Sequence, residues 1–427
     1  MSITNSLYIG ISGIQSHGEA ISIVGDNIAN ASTIGYKRNR ASFEDMLGGE
    51  INSQRLGGGS IMPSSQTMWQ QGTITRTDNP MDLAISGGGL FMVKGSHGGQ
   101  QGQYYTRDGR FHLDNTGYVT NQAGLRLQGY KIDATGTRSL SPGDLPLGAQ
   151  QSPPVASTTA AMRLSLNAAT TPIVAAWDPT NPSKTANYGT STTVYDSLGT
   201  AHHADVYFRA TGGGAWEVHA LVDGSETNGG TAGTPVEIAT GQLTFNPDGT
   251  LQAQSVNALP VDFLNATPGQ SIAFNFGDDL ASGGTGRGGT TQYTGESSVN
   301  GVDVDGRSAG KLTDIKIAED GKISGVFDNG DQFVLAQVSV ADFANEEGLS
   351  RVGDGLVIAT PASGQALVDV PGTGARGSIV SGSLEASNVD IGNELVTLIA
   401  YQRAFEANAK TVTTADEMLT DINNLKR

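Results

Sequence analysis

The stretch SNVDIGNELVTLIAYQRAFEANAKTVTTADEML, residues 387–419, decides the fold, because an apolar residue returns in it every seven positions. Ile391, Leu398, Phe405, Val412 and Leu419 form the series, with Leu395 and Ala409 at the second seam position. Near the other end of the chain Leu7, Ile14, Ile21 and Ile28 repeat in the same way, flanked by Ile11 and Val24. Seven-residue spacing keeps one apolar stripe on one side of a helix, and another helix must cover it. Two such stripes at opposite ends predict that the termini come together, with packing between subunits favoured over packing on the chain's own core. Ser387 and Asp390 read as an S-x-x-D capping box that opens the second helix at about 388. The first segment, 3–30, contains Gly10, Gly13, Gly18 and Gly25. Each costs about 1 kcal/mol relative to alanine inside a helix, so this helix is expected to be weak on its own.

Composition narrows the function classes. At 427 residues the chain exceeds one ordinary core, and two or three domains are expected. Its 59 glycines suit short strands joined by turns that need positive φ. With 25 Lys and Arg against 42 Asp and Glu the net charge is −17, which argues against nucleic acid and anionic membrane as partners. The absence of cysteine removes disulfides and thiolate metal sites. No stretch approaches the roughly 20 apolar residues that span a bilayer, so membrane insertion is not expected. The N-terminus also lacks the pattern of a cleaved secretion signal.

Between the helices the pattern is β. "MDLAISGGGLFMV" and "YTRDGRFHLDNTGYVTNQAGLRLQGY" alternate apolar and polar residues around DG and NTG turns. "ADVYFRA", "AWEVHALV" and "LTFNPDGTL" continue this after a Pro/Ala/Ser/Thr boundary. The predicted class is multidomain and mainly β. Two β-rich domains are nested and discontinuous, and the terminal helices form a coiled-coil-like domain. The expected divisions are 1–30 with 385–427 (helical), 31–70 (linker), 71–147 with 300–384 (discontinuous β domain) and 148–299 (inserted outer β domain). Lys37, Arg38 and Arg40 read as a solvated elbow within the linker.

Catalytic and metal-binding chemistry is not expected. Gly306-Arg307-Ser308-Ala309-Gly310 matches G-x-S-x-G, but the last histidine, His219, precedes the serine, contrary to the order such an elbow requires. The G-x-G-x-x-G matches at Gly284, Gly286 and Gly289 and at Gly372, Gly374 and Gly377 open no helix and read as loops. His202 and His203 are adjacent on a strand and point to opposite faces, so they cannot easily share an ion with His219. Asp303-Val304-Asp305-Gly306 lacks the first and last ligands of a calcium loop, which fall at Gly301 and Leu312. No enzyme activity, cofactor or metal is predicted.

The motifs carry a resemblance. "NIANASTIGYKR", Asn27 to Arg38, resembles the N-terminal signature of the bacterial flagellar rod and hook axial proteins, and "GSLEASNVDIGNELVTLIAYQRAFEANAKTVTTADEML" is similar to their terminal motif. Residues Asn27, Asn30, Gly35, Tyr36, Ser387, Asn388, Val389, Asp390, Gln402, Arg403 and Asn408 fall on these motifs. Five blocks occur in the family's order across roughly 1–145 and 300–427. The insertion of 148–299 resembles the hook members rather than the shorter rod members. The resemblance implies a structural polymer, exported through the flagellar type III channel without a cleaved signal and located outside the cell. It would form a curved tube that joins rod to filament as a universal joint. Implied partners are the chain itself, the hook cap, the distal rod, the hook–filament junction proteins and the export apparatus. Cohesion is assigned to Leu7, Ile11, Ile14, Ile21, Ile28, Ile391, Leu395, Leu398, Phe405, Val412 and Leu419, with Gln402 and Asn408 setting register. The alternatives are a distal-rod-like protein and a monomeric secreted adhesin or glycan-active protein.

Overall fold

A computed structural model describes residues 3–51, 54–133, 136–148 and 150–425. The protein is mainly β, with a long helix at each end: α1 (Ile3–Ala29), the single turn α2 (Pro182–Thr185) and α3 (Ile391–Leu425). It divides into two compact units. One comprises Met1–Gln150, Thr313–Val326 and Gln332–Arg427; the other comprises Gln151–Leu312 and Phe327–Asp331.

In the first unit the outgoing and returning halves of the chain pair strand by strand. β3 (Ile74–Arg76) pairs antiparallel with Ser383–Glu385, and Leu83–Ser86 pairs with Ser378–Ser381. Farther along, Phe91 lies opposite Val340, Thr106 opposite Leu356 and Tyr130 opposite Gln337. Leu90, Met92, Tyr105, Ala341, Phe343 and Val357 form a buried cluster between these strands. Leu90–Val93 and Leu127–Tyr130 are buried at every position, so both faces of these stretches are covered.

One segment differs from the sequence reading. Within the expected linker, β1 (Asn39–Ile51) and β2 (Gln54–Thr67) make the two arms of a long antiparallel hairpin, paired from Asn39↔Thr67 to Ile51↔Gln54. Its register shifts at Ser42/Glu44 and Met46/Leu47 break the apolar–polar alternation that marks a strand. The glycines near its tip weaken the signal further.

The second unit is a β-sandwich. A five-stranded antiparallel sheet runs from Tyr188–Tyr195 to Leu251–Ala258 in chain order, and a four-stranded sheet is centred on Thr159–Asn167. Strand Ala201–Gly212 shows the cause plainly: His202, Ala204, Val206, Phe208 and Ala210 are buried, while Ala201, His203 and Asp205 are exposed. With Trp216, Val218, Phe263 and Phe276 they make one core. The insertion is longer than 148–299, because Ser298–Val304 pairs with Thr159–Asn167 instead of returning to the first β domain. The G-x-S-x-G stretch runs between strands with no helix, and Arg307 bridges to Val155.

Candidate assembly interface

The two long helices pack antiparallel. Positions for a Cβ at Gly10 and Gly13 lie 2.7 Å from Val412 Cγ2 and from the Asn408 amide, and the position at Gly18 lies 3.9 Å from the Phe405 ring. Glycines expected only to weaken α1 therefore also let the helix axes approach. Gly25 meets nothing within 4 Å. The fully buried line of α1 is Gly10, Gly13, Ser16, Ala20, Val24 and Asn27, while Leu7, Ile14, Ile21 and Ile28 flank it half-buried. On α3 Leu398, Phe405, Val412 and Leu419 are half-buried. These heptad residues thus flank the contact, small residues make its closest approach, and the pair forms within one chain.

The remaining proposed seam residues turn outward. Ile11, Ile391 and Leu395 are exposed, as are Tyr8, Val396, Ile399, Met418 and Ile422, which the heptad reading did not include. Gln402 and Arg403 also face away, so Gln402 sets no register in the helix pair. Asn408 does lie in the pair, facing Gly13, and its amide donates to Ala404 O at 2.9 Å.

The hairpin lies against α1. Ser16 Oγ donates to Ser60 O at 2.9 Å, and Phe43 and Tyr401 rings flank His17 at 5.2 and 5.9 Å. Burial lowers the pKa of His17, which suits this aromatic setting.

The motif residues form the junction between helices and β domain. Asn27 is fully buried: its amide donates to Asn39 O at 2.7 Å and to Glu394 Oε2 at 3.1 Å, and its carbonyl accepts from Asn39 N at 2.8 Å. Asn388 accepts from Arg38 N at 2.7 Å and donates to Met68 O at 2.8 Å and Gln70 O at 3.0 Å. These two side chains hold both strands of the hairpin base. Asn30 donates to Asp26 at the end of α1, and Gly35 takes φ +68 where a Cβ would lie 2.7 Å from the Arg107 and Asp108 backbone. The cap of α3 is Asp390, which accepts from Gly392 N at 2.9 Å and Asn393 N at 3.2 Å. Ser387 instead accepts from Val389 N, so the helix starts three residues later than the capping-box reading places it.

Of the basic cluster, Arg40 is exposed as in a solvated elbow and Arg38 is partly buried, but Lys37 is not solvated. Lys37 is buried, and its ammonium donates to Glu385 Oε1 at 2.6 Å and Gln70 O at 2.7 Å. Arg107 reaches the other Glu385 oxygen at 3.1 Å and donates to Gly87 O at 2.8 Å. Glu385 itself is 0% exposed and also accepts from Gly72 N at 2.8 Å. Burial lowers the Lys37 pKa despite the Glu385 charge. Sequence reasoning missed this triad, because YKRNR looks like a surface run and Glu385 stands in no charge pattern.

Tyr36 donates to Asp26 at 2.9 Å, beneath the Arg351 guanidinium 5.2 Å from its ring centre. Burial, followed by the Asp26 hydrogen bond, raises its pKa to about 12. A phenol with a raised folded-state pKa stabilises the protein below its unfolded value near 10, and this is lost as pH rises through about 12. Tyr36→Phe is therefore expected to flatten the decline in stability across that interval, read from urea midpoints at successive alkaline pH values. An unchanged decline would remove this tyrosine from the account.

Among the described residues no group of three potential metal ligands occurs, and no helix is long and apolar enough to cross a membrane. Four family descriptions match in chain order. Residues 7–37 match the flagella basal body rod protein family and 84–152 the flagellar hook protein FlgE/F/G D1 domain. Residues 163–307 match the flagellar basal body protein FlaE D2 domain, and 380–425 the flagellar basal body rod FlgEFG protein C-terminal region. The flagellar hook protein FlgE of Escherichia coli is 33% identical over 97% of this chain and 98% of its own length. That of Treponema pallidum is 29% identical over 99% of both. A crystal structure of Helicobacter pylori flagellar hook protein FlgE2 aligns with TM-score 0.43 and 14% identity, over 73% of this chain and 100% of that one.

Proposed function

Because this chain belongs to the flagellar hook protein family and is a structural subunit of the flagellar hook, we propose that its helix pair is the cohesive element of a polymer. Copies assemble side by side into a curved, flexible tube that couples rod to filament as a universal joint. The helices form the inner layer of the tube. The subunit is exported without a cleaved signal and works outside the cell. There it meets the hook cap, the distal rod and the hook–filament junction proteins, after passage through the flagellar export apparatus. Its role is structural, with no catalytic step.

The observation that supports this reading is the uncovered apolar face of α3. Ile391, Leu395, Val396 and Ile399 stand exposed in the single chain, although α1 is already paired. Four large aliphatic residues in one nine-residue stretch form a patch that another protein surface is expected to cover. Leu398, Phe405, Val412 and Leu419 then hold the helix pair, while the outward set holds neighbours. The polar, glycine-rich β units provide weaker contacts that yield when the tube bends.

Leu395→Asp tests the assignment. The side chain is exposed, so the unfolding free energy of the monomer is expected to change by no more than about 0.5 kcal/mol. Assembly should fail, because a charge would enter a buried contact. Cells carrying the variant should be non-motile, with basal bodies that lack hooks in electron micrographs. Normal hooks would refute the assignment of this face.

A further inference from the structure

Resting on that polymer reading, we propose that α3 carries both halves of a head-to-tail contact. Val396, Ile399 and Arg403 of one copy dock against Thr411, Thr414 and Met418 of a second. Val396, Ile399 and Arg403 are exposed and follow at i, i+3 and i+7, one continuous stripe on a helix. Thr411, Thr414 and Met418 repeat that spacing, displaced by 411 − 396 = 15 residues. Val396 stands 69% exposed and Ile399 51%, with nothing among the described residues to cover them.

The second stripe is concave where the first is convex. Ala407, Lys410, Thr411, Thr414, Ala415 and Met418, with Ser6 of α1 opposite, line a cavity of about 330 Å³ between the helices. Short side chains on α3 leave this hollow beside α1, and aliphatic knobs of the Val396–Ile399 kind suit it. Charge follows the same register. Arg403 arrives at Met418, beside the exposed carboxylates of Glu417 and Asp421, while Lys410, the cation in the lining, falls level with Leu395 and away from Arg403. The occupant is thus a second copy of this chain, which carries the matching knobs and the opposite charge at the required spacing.

The displacement fixes the geometry. Fifteen residues correspond to about 22 Å along a helix at about 1.5 Å per residue. Knob and groove occupy different places on one subunit, so their contact is heterologous, and the shift of about 22 Å along the helix at each step makes the series open instead of a ring. This gives an open series of subunits, each shifted along its neighbour.

The cysteine-free chain allows a direct test with Val396→Cys and Thr411→Cys as single variants. They would be mixed, assembled on sheared hook fragments and oxidised. A disulfide-linked dimer is expected in the mixture and in neither variant alone. The double variant should give a ladder of linked multimers. Its two cysteines are about 22 Å apart within one copy, beyond the roughly 7 Å limit between Cα atoms for a bridge. Linkage of Val396→Cys to itself would overturn the head-to-tail arrangement. Polymers with no mixed linkage would overturn the register while leaving the polymer reading intact. If the unmodified chain did not extend the fragments, the polymer reading would fall, and this contact with it.

Discussion

Glu385→Ala is expected to destabilise the first unit by about 3–5 kcal/mol, the usual cost of breaking a buried ion pair from one side. Glu385 is the only carboxylate bonded to both Lys37 and Arg107 among the described residues, and all three side chains are at least 95% buried. Removing it leaves two cations facing each other without water, and also orphans Gly72 N. Denaturant unfolding followed separately for the two units should show the loss in the first and an unchanged second. The matching apolar replacement, with Lys37, Arg107 and Glu385 all changed to Met, should recover much of the loss, because desolvating the charges offsets much of their attraction. A loss below about 1 kcal/mol for Glu385→Ala would mean that water reaches the junction and that the triad has the small value of a surface pair.

Gly13→Leu should separate the helices, although it improves the intrinsic helicity of α1. Propensity favours leucine by about 0.8–1 kcal/mol. Packing opposes it: the first added carbon would lie 2.7 Å from the Asn408 amide, and three more carbons follow. Overpacking of this kind costs about 1–3 kcal/mol or more, so packing decides the sign. The expected result is rapid proteolysis within 3–29 and 391–425, intact β units and no assembly. Gly25→Ala is the internal control, since nothing lies within 4 Å of its added carbon. That change should stabilise the helix by about 0.5–1 kcal/mol. Equal protease resistance in Gly13→Leu and the unmodified chain would refute the close helix approach.

Much of this architecture was legible in the residues. Period two at Ala201–Gly212 marks a strand whatever it packs against, and the seven-residue repeats run along α1 and α3 at half-buried positions from Leu7 to Ile28 and from Leu398 to Leu419. Which helix meets which is not contained in the repeat, because the same stripe suits a partner in the same chain or in another. Ile391 and Leu395 illustrate this, being in heptad phase yet uncovered. The hairpin at 39–67 was hidden by its bulges and glycines, since its pairing comes from backbone bonds more than from a buried face. The junction was hidden for another reason. Lys37 and Glu385 are 348 residues apart, and no local pattern shows that a surface-looking lysine has a buried partner at that distance.

The strand pairing that closes the base of the first unit also sets a timetable. Thr75 is joined to Leu384 across a sequence separation of 309 residues, and Lys37 to Glu385 across 348. A polypeptide delivered from one end cannot complete that domain until its last tenth has arrived, whereas the sandwich of Gln151–Leu312 needs only the later short turn at Phe327–Asp331. Maturation is therefore expected to run from the insertion inward, with the helix pair proposed to hold neighbours the last part to acquire its shape.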